Sequence, residues 1–179
     1  LKGAGYPKGE GLPEIVFEYR ASTTQTRQQW EFVRNELANV GIKARANFQT
    51  FSAWLQKIEQ GNFQISGAGW MADYPDAENF YQLLYGPNTP PGPNDGSYKN
   101  AEYDELYEQM RFMENTPERF AKMQRMNEII KAQVPSLLLY NAMRVGLITP
   151  WVKNLKRNIM YHPPLKYHDI DLKRKAEGM

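Results

Sequence analysis

Three apolar, β-prone runs separated by two helix-patterned stretches constrain the first half of this chain more than any other feature. Residues 14–19 (EIVFEY) set Ile15, Phe17 and Tyr19 against Glu14 and Glu18, with Val16 on the other face, the pattern of a mostly buried strand. Over residues 26–40, Trp30, Val33, Leu37 and Val40 recur at spacings of three and four. That predicts a helix with one apolar face, stopped by Gly41. Residues 42–49 read as a second strand. Thr50 then caps a short helix whose Trp54, Leu55 and Ile58 point inward, and Gly61 with Asn62 ends it. Residues 63–69 form the third strand. Strands joined through helices need crossover connections, so the pattern predicts an α/β fold: a β-α-β-α-β unit with a parallel sheet and right-handed crossovers.

The second half obeys a different pattern. Residues 86–99 (GPNTPPGPNDGSYK) hold four Pro and three Gly, too many for regular structure, and predict a surface loop of the kind that is often functional or mobile. Asn100 caps a helix whose inward face is Tyr103, Leu106, Tyr107, Met110 and Met113. Thr116 followed by Pro117 starts another, with Phe120, Met123, Ile129 and Ile130 as its stripe. The two should pack as an antiparallel pair, ended by Pro135. Residues 137–140 and 145–149 read as two short return strands. From Trp151 onward periodicity is lost, and the basic tail KRKAEGM is expected to fray.

Composition excludes several classes. A chain of 179 residues suits one compact unit, able to bury roughly 70% of its unfolded surface. With 22 Lys and Arg against 20 Asp and Glu, the net charge of +2 points to no nucleic acid and no anionic membrane. No apolar run approaches the roughly 18 residues of a membrane span, and the opening LKGAGYPKGEGLP has no signal-peptide core. Zero cysteines removes disulfides, thiolate metal sites and a cysteine nucleophile, and fits an oxidising or a reducing compartment alike.

Chemistry concentrates where the third strand runs out, at residues 67–80 (GAGWMADYPDAENF). In open α/β sheets ligands collect outside the carboxyl ends of strands, which makes Asp73 the first candidate for a ligand-contacting group. Asp76 reads as the N-cap of the next helix and Glu78 as an acid favoured in its first turn, while Asp73 is open to a turn-forming role as well as a binding one. Three close carboxylates also leave open a carboxylate-dependent hydrolase, which would need a second acid facing Asp73 across a cleft. His162 and His168, the only histidines, match no helical metal spacing and read as surface residues. No serine sits in a nucleophile elbow, and GAGW lacks the glycine spacing of a dinucleotide fingerprint, so no cofactor and no metal are expected.

Taken together, GAGWMADYPDAENF, the upstream AGYPKGEGLPEIVFEY, and the downstream SYKNAEYDEL and NAMRVGLITPWVKNL resemble the C-terminal part of family five of the extracellular solute-binding proteins, the oligopeptide- and dipeptide-binding components of peptide ABC importers. The resemblance runs over nearly the whole chain in order and spacing. It implies a periplasmic-binding-protein-like (type II) fold that closes two lobes over a ligand, with residues 1–158 forming most of the C-terminal ligand-binding lobe. Residues 159–179 would begin the return to the other lobe and be poorly ordered at their end. A large N-terminal portion of complete relatives has no counterpart here, so the resemblance implies an excised or truncated part, one that binds weakly or not at all alone. The implied setting is periplasmic or extracytoplasmic, the implied partners a short peptide or related small solute and a transporter permease, and the implied state a monomer without enzymatic activity. A docking or sensor module of the same fold is the other implied role, marked by an exposed apolar patch away from Asp73.

The resemblance also assigns residues. In peptide-binding relatives the aspartate of the Trp-x-Ala/Gly-Asp pattern pairs with the ligand's N-terminal ammonium, and Asp73 matches it. Trp70, Tyr74 and the backbone at Gly69 would flank the peptide, held backbone to backbone like an added strand. Some relatives grip the ligand's C-terminal carboxylate with basic groups at positions falling at Gln25, Ile58 and Gly67, none of them basic here, which speaks against an anchor of that type. Arg20 falls near the arginine of dipeptide binders, where a bidentate guanidinium would fit, and equally reads as an exposed strand-end charge.

Overall fold

The computed structural model describes residues 1–141, 143, 145–155 and 168–178. Two short 3-10 turns, Lys2–Ala4 and Pro7–Gly9, lead into strand β1 (Ile15–Tyr19), helix α1 (Thr24–Asn39), strand β2 (Ala44–Phe48), helix α2 (Phe51–Glu59) and strand β3 (Ile65–Ser66). The strands pair in parallel, in the order β2-β1-β3, as the alternating pattern predicts. Central β1 opposes β2 along its whole length, with Glu18 level with Asn47 and Tyr19 level with Phe48.

Side-chain alternation gives the sheet two different faces. On one, Phe17 and Tyr19 pack against Trp30 of α1 at ring separations of 5.2 and 6.0 Å, and Tyr19 stacks on Phe48. Thr23 caps α1 through a reciprocal pair with Thr26, and the capping starts the helix at Thr24, two residues before the expected start at residue 26. Val40, expected on the inward stripe, is exposed, because the helix ends at Asn39 and the chain turns at Gly41. Gly41 takes φ 82°, and a Cβ there would lie 2.1 Å from the Lys8 carbonyl oxygen. Only glycine fits such a left-handed, close-packed turn.

The other face is polar at its centre. Glu18 is 4% exposed and accepts from Asn47 Nδ2 at 2.8 Å, Gln49 Nε2 at 2.6 Å and Lys57 Nζ at 2.7 Å. Sequence alternation assigns Glu18 to a polar side of β1; the structure covers that side with α2, whose Trp54 and Ile58 are buried as expected. A buried carboxylate needs its lone pairs satisfied, and β2 and α2 together supply the donors.

The third strand is much shorter than residues 63–69. At its start, the Gln64 side-chain oxygen accepts from the Val16 amide at 2.7 Å, where a backbone ladder bond would otherwise form. As an edge strand, β3 leaves Ile65 exposed.

Helix α3 (Glu78–Tyr81) and two 3-10 turns lead through the Pro-rich segment to helix α4 (Ala101–Met110) and helix α5 (Pro117–Gln133). The caps are those predicted: the Asn100 side chain accepts from Tyr103 N, and that of Thr116 from Arg119 N, with Pro117 at the first turn. The two helices share a core of Tyr103, Tyr107, Met110, Met123, Met126 and Ile129. Phe120 is exposed, and Arg119 is buried in its place. Arg119 satisfies its guanidinium locally, with Nε on Met110 O at 3.1 Å and Nη1 on Asn115 Oδ1 at 2.7 Å, so the stripe runs 119, 123, 126, 129. The Pro-rich loop is packed rather than loose. Asn94 is fully buried, donates to Tyr85 O and Tyr98 O, and accepts from Tyr98 N, which stitches the loop's two ends together.

Residues 1–71 and 80–135 make one compact unit, and residues 72–79 with 136–179 make another. In the second, the described residues of 137–140 and 145–149 form no strand. The short antiparallel pair lies instead at β4 (Val152–Lys153) and β5 (Asp169–Ile170), where a Lys153–Asp171 ion pair joins it. Asp171 then caps helix α6 (Leu172–Glu177) by accepting from Arg174 N. His162 lies outside the described residues.

Candidate functional site

The first unit carries Arg20, Gly69 and Trp70. Arg20 follows β1 immediately, is exposed, and holds its guanidinium carbon 5.9 Å from the centre of the Trp54 ring. Trp54 is fixed in turn by its Nε1, which donates to Ser66 Oγ at 2.9 Å, so α2 and the end of β3 together set the plate under Arg20. At nearly 6 Å this is a cation–π contact at the outer limit of its range. Gly69 is exposed, with open space where a Cβ would point, and Trp70 is 42% exposed. An indole and an open backbone past a strand end are groups a ligand can lie along.

The second unit carries Asp73 and Tyr74. Asp73 is exposed and tied to Asn79 in two directions: its backbone N–H donates to Asn79 Oδ1 at 3.1 Å, and Asn79 Nδ2 donates to Asp73 Oδ2 at 3.3 Å. Asn79 itself is fully buried. An anchored amide thus orients an exposed carboxylate, leaving Oδ1 without a donor among the described residues. Sequence reading passed over Asn79. Its one signal was a polar, short side chain in the first turn of a helix otherwise lined by Phe80 and Tyr81.

The neighbouring carboxylates have structural tasks. Asp76 Oδ1 accepts from Glu78 N at 2.8 Å, the side-chain cap expected of it at the start of α3. Glu78 accepts from the Tyr74 hydroxyl. The Tyr74 phenol sits above its ordinary pKa. The Asn79 hydrogen bond, the largest single influence, lowers it, but the Glu78 hydrogen bond, desolvation and the Glu78 and Asp76 charges outweigh that. Among the described residues no three His, Cys, Asp or Glu side chains gather to hold a metal ion, and no helix is long and apolar enough to cross a membrane. Within this unit the loop offers one oriented carboxylate, Asp73, which suits a cationic group on a ligand.

Comparison with known proteins gives this geometry its setting. A family model described as bacterial extracellular solute-binding proteins, family 5 Middle, matches residues 1–91, a span that includes every candidate residue above. Among curated relatives, the periplasmic murein peptide-binding protein MppA of Escherichia coli is 27% identical over 88% of this chain and 29% of its own length. The oligopeptide-binding protein OppA of Bacillus subtilis is 23% identical over 78% of this chain and 25% of its own. Among solved structures, unliganded open MppA aligns at a TM-score of 0.72 and 26% identity over 86% of this chain and 29% of that one. Haemophilus influenzae OppA in complex with RPPGFSPFR aligns at 0.81 over 94% of this chain and 33% of that one; at 21% identity it speaks for the fold alone. The chain therefore spans a quarter to a third of the length of these relatives. The family is one of binding rather than catalytic proteins, and the expected fold class and extracytoplasmic setting agree with it. By the match over its first half and the order of its strands and helices, the chain belongs to the bacterial extracellular solute-binding proteins, family 5.

Proposed function

We propose that this chain supplies part of the ligand-binding lobe of a peptide-capturing component of an ABC importer, with Asp73 as the anchor for the peptide's N-terminal ammonium. The observation that carries the reading is the Asp73–Asn79 pair: an exposed carboxylate oriented by a fully buried amide, with one oxygen left to meet a cation. A carboxylate meeting an ammonium makes a short, charge-assisted hydrogen bond, and in a cleft that excludes water its loss strands a charge. Such an anchor selects for a free amino terminus and is indifferent to side chains. Trp70, Tyr74 and the backbone at Gly69 are the flanking surface, and Arg20 is the candidate contact for the carboxylate end of a short peptide. The complete binding protein would deliver its cargo to a permease. Two relatives' names support peptide as the ligand class, since they are called oligopeptide-binding and murein peptide-binding proteins.

The test is a two-dimensional NMR titration of the labelled chain with trialanine and with N-acetyl-trialanine, a method sensitive enough for millimolar binding. The Asp73 and Asn79 amides should shift with the free peptide and stay still with the acetylated one. Equal shifts from both peptides would remove Asp73 from the role of amine anchor.

A further inference from the structure

We propose that Trp54, locked in place by Ser66, is a positioning residue that aims Arg20 at the carboxylate end of a peptide; the inference rests on Arg20 as the contact for that carboxylate. All three residues belong to the first unit. Arg20 leaves the carboxyl end of β1, Ser66 closes β3, which pairs with β1, and Trp54 lies on the buried face of α2. The indole is 6% exposed, so it is a fixed plate rather than a mobile side chain. Two contacts fix it: Nε1 donates to Ser66 Oγ at 2.9 Å, and the ring stacks on Phe51 at 5.8 Å.

Charge decides what the plate does. The acid nearest to Arg20 in sequence is Glu18, two residues upstream on the same strand. Its carboxylate is already taken by Lys57, Asn47 and Gln49. Among the described residues Arg20 forms no ion pair and meets the Trp54 ring instead, at 5.9 Å. An aromatic face attracts a guanidinium without cancelling its charge or occupying its N–H fork, so the fork is left for a planar anion. A carboxylate takes that fork with two parallel hydrogen bonds; a carboxamide, neutral and a donor at one of the two positions, cannot. A partly exposed cation–π contact changes an equilibrium constant by about 2- to 5-fold. Orientation by Trp54 should therefore tune the preference for a carboxylate rather than create it.

Two-dimensional NMR titrations of the 179-residue chain with trialanine and with trialanine amide test it. Wild type should bind the free acid about tenfold tighter than the amide, the lower end for a charged hydrogen bond, and Arg20→Gln should bring that ratio to about one. Ser66→Ala, which frees the indole N–H and keeps the ring, and Trp54→Phe, which has a smaller ring and no N–H, should each lower the ratio about 2- to 5-fold. In both variants the Arg20 Nε–Hε resonance should shift as the ring beneath it moves or changes, while the preference for trialanine over N-acetyl-trialanine stays as in wild type. If Arg20→Gln abolishes the ratio and the Ser66 and Trp54 variants keep it whole, the inference is overturned and Arg20 stands as a contact without a positioning residue. A ratio that survives Arg20→Gln, or a wild-type chain that does not distinguish acid from amide, would remove Arg20 and Trp54 together. A fall in both preferences at once would mark a general loss of structure and overturn the inference as well.

Discussion

Replacing Lys57 by methionine isolates the polar centre of the sheet. The ammonium lies 2.7 Å from Glu18 Oε1, and the Glu18 side chain is only 4% exposed. Removing one partner of a fully buried ion pair costs about 3–5 kcal/mol, because the other charge stays in a medium that solvates it poorly. Two features reduce that figure here. Asn47 and Gln49 still donate to Glu18, and the Lys57 side chain is 34% exposed, so water can approach the vacated position. The expected loss is therefore about 1.5–3 kcal/mol, or roughly 3–12 °C in melting temperature for a chain of this size. Lys57→Met together with Glu18→Met should recover much of the loss, since an apolar pair of similar volume leaves no charge stranded. Urea unfolding followed at 222 nm, with thermal melts, reads both. A single variant within about 0.5 kcal/mol of wild type, or a double variant worse than the single, would refute the assignment of Glu18 as a charge held chiefly by Lys57.

Two further outcomes follow from burial. Phe120→Ser should change stability by less than about 0.5 kcal/mol, because the ring is exposed, whereas Arg119→Ala should cost about 2–4 kcal/mol through lost packing and the loss of its buried bonds to Met110 O and Asn115 Oδ1; equilibrium unfolding separates them. Asp95 titrates above the ordinary aspartate range because burial penalises its charged form. A raised folded-state pKa favours the fold below the unfolded pKa and loses that benefit as pH rises through the folded value. Asp95→Asn should therefore raise the melting temperature at pH 7 and confer no gain near pH 3, as paired thermal melts would show.

How much of this was legible in the sequence depended on what held each element. Strands and helices with their own signals were readable: EIVFEY alternates, Thr50, Asn100 and Thr116 cap, and Pro117 and Gly41 punctuate. What failed turned on partners distant in sequence. Glu18 looks like a solvent-facing charge until Asn47, Gln49 and Lys57 are brought over it. Arg119 and Phe120 trade places because a guanidinium can satisfy itself on Met110 O and Asn115, which no hydrophobic count registers. The third strand starts late because the Gln64 side-chain oxygen takes the Val16 amide in place of a ladder bond. The return strands of 137–140 and 145–149 have strand composition but no pairing partner among the described residues, and composition alone makes no ladder. Among the candidate residues, Asp73 stands out in sequence through its place past a strand end, while Asn79, which bonds to it, looks like any first-turn polar residue.

The central claim is that the Asp73 carboxylate supplies binding free energy for a peptide ammonium. Titrating trialanine into wild type and Asp73→Asn, with dissociation constants read from the NMR shifts of residues outside the substituted loop, measures it directly. Asparagine keeps the shape and the backbone link to Asn79 but removes the charge. A charged hydrogen bond worth about 1.5–3 kcal/mol predicts affinity about 10- to 150-fold weaker in the variant. Equal dissociation constants for the two proteins would contradict the account.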